Sequence, residues 1–109
     1  MAIEGVGNFE ELVMLGVLRR RDQAYGMAVR RELEEVGGRE VTIGAVYSTL
    51  DRLEAKGLVA SSRGRESNAR RLFRITPAGL RALADTRAAR ERLWRDVDLA
   101  AFGLRPRTT

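Results

Sequence analysis

The chain has 109 residues, no cysteine and no histidine, and its 20 basic and 15 acidic groups leave a formal net charge of +5. That length suits one domain with a single modest core and is too short for two. The missing residue types exclude disulfides, thiolate chemistry, histidine acid–base catalysis and the usual zinc ligand sets.

The charge is unevenly placed. Residues 1–56 hold eight basic and ten acidic groups, whereas 57–109 hold twelve and five, and Lys56 is the only lysine. A basic second half built from arginine points to a polyanionic partner. The opening "MAIEGVGNFE" is neither basic nor continuously apolar, and "LVMLGVL" is far below membrane-spanning length. The expectation is a cytoplasmic protein with no membrane partner, cofactor or metal.

In "NFEE", Asn8 followed by Glu11 has the spacing of a capping box and starts a first helix. From Leu12 through Leu15 to Leu18 this helix is apolar all round, so it needs cover on two sides. The second cover is either the rest of the domain or a partner subunit. A short polar break at Asp22–Ala24 precedes a second helix over 25–36, with Tyr25, Val29, Leu33 and Val36 on one face and Gly37–Gly38 as its stop. A third helix runs from a cap at Thr42 to Lys56, with Gly57 ending it. Beyond it, "LVASSR" and "RRLFRIT" read as strands joined by "GRESNA", a hairpin. Alternation points Arg71, Phe73 and Ile75 one way; Phe73 and Ile75 are assigned to the core, with Arg71 near the strand's frayed, exposed end. Thr76–Pro77 caps a terminal helix expected to reach Ala101. The fold class is mainly α with a two-stranded β-wing: a winged helix-turn-helix over 1–76, then a long C-terminal dimerisation helix and tail over 77–109.

Helix three carries the functional signal. Ile43, Val46, Leu50 and Leu53 form its core stripe. Gly44, Ser48 and Arg52 fall on the opposite face, flanked by Ala45 and Tyr47, so the first turn is exposed and nearly bare. A major groove admits a helix only if side chains do not hold its backbone away. Thr42, Tyr47 and Ser48 supply hydroxyls for phosphates or base edges, and a helix N-terminus favours phosphate; the alternative is a plain amphipathic helix whose small residues pack on a neighbour. The following hairpin brings Arg63, Arg65, Arg70, Arg71 and Arg74, with Glu66 its sole acid. A helix-turn-helix followed at once by a basic hairpin is a winged helix, whose wing reaches the DNA backbone beside the groove-bound helix.

"YGMAVRRELEE", "TIGAVYSTLDRLEAKGLV" and "RRLFRITPAGLRAL", in this order and spacing, resemble the successive motifs of PadR-type transcriptional regulators over about residues 9–100. The resemblance implies a homodimeric winged-helix repressor of its short-tailed branch, with Tyr47, Thr42, Gly44 and Ala45 at the DNA and Tyr25–Gly26 near the DNA-facing surface. Two positions depart from the pattern: Ser48 stands where many relatives have proline, and Leu72–Phe73 replaces a frequent aromatic pair. The terminal helix, with Leu83, Leu93, Trp94 and Val97, is implied to cross the partner's first helix, at Leu12, Leu15 and Leu18. Two-fold pairing sets two recognition helices about 34 Å apart and calls for an inverted-repeat operator. In some short-tailed relatives, aromatic residues on this helix line an opening for planar effectors. Trp94 is therefore either an effector contact or an interface tryptophan without a ligand.

Catalysis has no support: adjacent acids such as Glu34–Glu35 diverge on a helix, and no serine has a basic partner. The competing reading is a winged-helix module that binds protein without DNA specificity.

Overall fold

The computed structural model describes residues 6–64 and 70–105. Helix α1 spans Asn8–Arg20, a 3-10 turn covers Arg21–Gln23, and α2 spans Gly26–Glu35. Helix α3 covers Ile43–Ala55, strands β1 and β2 cover Val59–Arg63 and Arg71–Ile75, and α4 covers Pro77–Trp94. A last 3-10 turn lies at Leu99–Phe102. Mainly helical content with one antiparallel strand pair is the architecture expected from the sequence. Among the described residues no helix is long and apolar enough to cross a membrane.

The core forms where the stripes of three helices meet the wing base. Val13, Met14 and Val17 of α1, Val29 and Leu33 of α2, and Val46, Leu50 and Leu53 of α3 are buried with Val59 and Phe73. Each buried aliphatic or aromatic side chain contributes roughly 1.5–3 kcal/mol relative to an exposed one. The strands pair from Val59↔Ile75 through Ser61↔Phe73 to Arg63↔Arg71. Just before α2, Tyr25 bridges to Leu72, and the Phe73 N–H donates to the Ala24 carbonyl at 2.9 Å. The segment leading into α2 thereby pins that helix to the wing, a long-range pairing that the sequence did not signal.

Local signals set most boundaries. Thr42 Oγ1 accepts from the Ala45 N–H at 3.1 Å and caps α3, and Thr76 Oγ1 accepts from the Gly79 N–H at 3.0 Å to cap α4. Gly38 and Gly57, at φ +66° and +76°, carry the chain out of α2 and α3 in a conformation that a β-carbon disfavours.

Four expectations are corrected. The cap of α1 is Gly7 in extended conformation, and its N–H donates to Glu10 Oε1 at 2.9 Å; Glu11 instead pairs with Arg90 at 2.7 Å. Val36 lies beyond the last turn of α2 and is 57 % exposed, so it is no part of the core face. Helix α4 stops at Trp94, seven residues before Ala101. There Asp96 adopts φ +63° and Asp98 Oδ1 accepts from the Ala100 N–H at 3.0 Å, so short acidic side chains offer the backbone local turns in place of helix. Finally Leu83, expected between subunits, is buried in the core of its own chain.

Candidate nucleic-acid interface

Helix α3 is held from both ends. Arg30 Nε donates to the Val41 carbonyl at 3.1 Å and fixes the approach from α2. At the far end Lys56 Nζ lies 2.9 Å from Glu10 Oε2, and Arg52 Nε lies 3.6 Å from the same oxygen. Glu10 is almost buried; desolvation pushes its carboxyl up, but hydrogen bonds from Lys56 and Gly7, with the charges of Lys56 and Arg52, hold it below its usual range.

The first turn of α3 is as bare as its sequence implies. Thr42, Gly44, Ala45 and Ser48 are exposed, and a β-carbon at Gly44 would meet nothing within 4 Å. The Ser48 hydroxyl is turned back onto the helix, donating to the Gly44 carbonyl at 2.7 Å, which leaves its oxygen free to accept. Arg52 keeps its exposed side chain at the α1 end of this face, away from the wing.

Tyr47 is not free on the flank. Its ring is half-buried between Phe73, at a centroid distance of 6.4 Å, and Gly26. A β-carbon at position 26 would lie 2.3 Å from Tyr47 Cζ. The Tyr–Gly pair that opens α2 thus has a steric reason: Gly26 leaves the space that Tyr47 fills.

Between α2, α3 and the wing lies a cleft of about 550 Å3 lined by Tyr25, Met27, Arg31, Tyr47, Asp51, Arg63, Arg70 and Arg71. The Arg70 guanidinium lies over the Tyr25 ring at 4.2 Å, and Arg31 Nη1 donates to Tyr25 Oη at 3.4 Å. Against a desolvation that raises it, the charges of Arg70 and Arg31 hold the Tyr25 phenol below its ordinary pKa. Arg63 and Arg70 are exposed at this cleft, whereas Arg65 lies outside the described residues. Met27 and Arg31 were not anticipated; their separation of four residues on α2 is the signal that sets both on one face.

Arg71 is not at a frayed end. Its Nη1 lies 2.8 Å from Asp51 Oδ1, its Nη2 pairs with Glu54, and its Nε donates to Ser61 Oγ at 3.1 Å. The strand continues its ladder as far as this residue, and the two carboxylates of α3 turn its side chain inward.

On the other side of the molecule, α4 runs beside α1. Leu15, Leu18, Leu80, Leu83, Ala84 and Ala88 provide the apolar wall of a groove of about 620 Å3. Leu15 and Leu18 are 40 % and 39 % exposed, so the core covers only one side of α1, while Leu12 packs against it. Leu93, Trp94 and Val97 remain 80 %, 53 % and 45 % exposed at the end of α4, and none of them lines the groove.

Comparison with known proteins places this geometry among regulators. The model of the "Transcriptional regulator PadR-like family" matches residues 14–85. The transcriptional regulator Rv3488 of Mycobacterium tuberculosis is 44 % identical over 77 residues, covering 70 % of this chain and 71 % of that protein. Among solved structures, RosR of H. salinarum is similar with a TM-score of 0.68 and 28 % identity, over 87 % of this chain and 83 % of that one. A PadR family transcriptional regulator of Eggerthella lenta is similar with a TM-score of 0.64 and 34 % identity, over 75 % of this chain and 73 % of that one.

Proposed function

The chain belongs to the PadR-like family of transcriptional regulators, and from that premise we propose that it binds double-stranded DNA sequence-specifically as a homodimer. The family is a class of regulators, and its members bind DNA. In this reading the first turn of α3 enters the major groove, with Thr42, Gly44, Ala45 and Ser48 nearest the bases and Arg52 at the backbone. Tyr25, Tyr47, Arg63 and Arg70 meet the phosphates at the cleft, and Arg65 belongs to the same contact set. The supporting observation is the juxtaposition of a helix tip without bulky side chains and an arginine-lined cleft fixed to it by Tyr47 and Gly26.

Leu15 and Leu18 of α1, exposed beside α4, and Leu93, Trp94 and Val97 beyond it are the surfaces through which two copies pair. Leu12, packed against the core, and Leu83, buried in it, support that surface from beneath. Pairing two recognition helices suits an inverted-repeat operator, and occupation of such a site in a promoter represses transcription in the cytoplasm. A planar aromatic effector bound at Trp94 relieves that repression.

The test is the salt dependence of binding to duplex DNA. Log affinity is expected to fall linearly with log salt, and Arg63→Gln or Arg70→Gln, each removing two contacts per dimer, to reduce the slope by about 1.8. Absence of binding at low salt, or a flat response, would favour a winged-helix module that recognises protein instead. For the effector, Trp94 fluorescence titrated with flat aromatic compounds is expected to quench; an unchanged spectrum across the set removes that part of the reading.

A further inference from the structure

The recognition helix carries two acids, Asp51 and Glu54, on the side that faces the wing, and Asp51 lines the arginine cleft itself. Carboxylates beside a surface that meets phosphate weaken association unless they serve another purpose. Their partner is Arg71 of β2. Its Nη1 meets Asp51 Oδ1 at 2.8 Å, its Nη2 meets Glu54, and its Nε donates to Ser61 Oγ at 3.1 Å. Ser61 in turn donates to Glu54 Oε2 at 2.7 Å, and the guanidinium lies over the Phe73 ring at 4.7 Å. This closed ring joins β1, β2 and α3 at Arg63↔Arg71, the last pair of the ladder. A hydrogen bond from Ser61 and another from Arg71 hold the Glu54 carboxyl below its usual range, and the bond to Asp51 raises the Arg71 pKa.

We propose that Arg71 is a positioning residue: with Asp51 and Glu54 as its anchors, it bolts the wing to the recognition helix at a fixed angle and contacts no phosphate. The inference rests on the DNA-binding reading. Three of its five N–H donors are engaged by α3 and β1, and the side chain is only 25 % exposed, so its guanidinium is committed to the protein rather than extended toward solvent. Part-exposed pairs of this kind add little to overall stability. Their effect lies in presenting Arg63 and Arg70 to the backbone without an ordering cost at the moment of binding.

The proposal makes an electrostatically contrary prediction. Neutralising two acids on a DNA-binding face would ordinarily tighten binding, but here it frees the wing. Binding to a short mixed-sequence duplex is measured for Arg71→Gln, for Asp51→Asn with Glu54→Gln, and for the triple variant. Each is expected to bind about fivefold more weakly than the parent chain, and the triple no more weakly than either. The chain has no cysteine, so nitroxide labels on Ala55→Cys and Ser62→Cys, in protein diluted with unlabelled chain, report the angle directly. Their distance distribution is expected to broaden in all three variants while thermal midpoints stay close to that of the parent.

Tighter binding by the acid-neutral pair, with Arg71→Gln lowering the salt slope of the dimer by about 1.8, makes Arg71 a phosphate contact and overturns the proposal. An unchanged label distribution in Arg71→Gln also overturns it, since the wing is then held by strand pairing alone. Failure of the parent chain to bind duplex at low salt sinks the DNA-binding reading, while the label measurement still decides whether Arg71 is the bolt.

Discussion

Substituting Gly26 by alanine tests how α2 positions the recognition helix. The new β-carbon would lie 2.3 Å from Tyr47 Cζ, 2.5 Å from its Oη and 2.7 Å from Cε2. Carbon–carbon contacts settle near 3.5 Å, so the ring must retreat by roughly 1.2 Å. It has little room, because its other side rests against Phe73 in the core. Overpacking of this kind costs about 1–3 kcal/mol, and the entropic gain of alanine over glycine at a helix start, about 0.5 kcal/mol, offsets only part of it. Urea unfolding is expected to show a net loss of about 1–2 kcal/mol, with weaker duplex binding because Tyr47 moves within the cleft. The double variants discriminate. Tyr47→Phe keeps Cζ and Cε2 and leaves the clash in place, whereas Tyr47→Ala removes it. Gly26→Ala is therefore expected to cost its full amount beside phenylalanine and almost nothing extra beside alanine. Equal stability of Gly26→Ala and the parent chain, or full recovery with phenylalanine, would refute the interlock.

Gly79→Ala is expected to be more damaging, since its β-carbon would lie 2.1 Å from the Leu58 backbone carbonyl oxygen; a loss of about 3 kcal/mol should lower the thermal midpoint by more than 10 °C or so, and a midpoint within a few degrees of the parent would be inconsistent with the packing of α4. Acid should destabilise the chain through Glu10, whose folded pKa lies below its ordinary value. The unfolded chain then takes up the proton first as pH falls, so the stabilisation is fully present above about pH 5 and disappears as pH drops through the folded pKa. Glu10→Gln should cost about 1–2 kcal/mol at pH 7 and flatten that acid limb, and an unaltered pH profile would remove Glu10 as its source. Trp94→Ala is expected to raise the dimer dissociation constant at least tenfold in sedimentation equilibrium; an unchanged constant would place the subunit contact elsewhere.

The order of elements was legible because helix stripes, capping residues and strand alternation are local. Thr42, Thr76–Pro77 and Gly57 act within a few residues of themselves, and their effects do not depend on the rest of the chain. The bare tip of α3 was legible for the same reason: small residues on the face opposite a core stripe are a matter of helical period. Tertiary structure decided what long side chains do. Period alone left Tyr47 on a flank, and only the approach of α2 at Gly26 shows that its ring is a wedge. Alternation put Arg71 on the face of Phe73 and Ile75 and its place at the strand end suggested exposure, but Asp51 and Glu54, 20 and 17 residues away in sequence, draw it inward. The length of α4 was overestimated because helix period continues past the point where Asp96 and Asp98 satisfy the backbone by turns. Backbone preference is a property of short segments, while an arginine or tyrosine several bonds long takes its position from whichever charges and spaces the fold brings within reach.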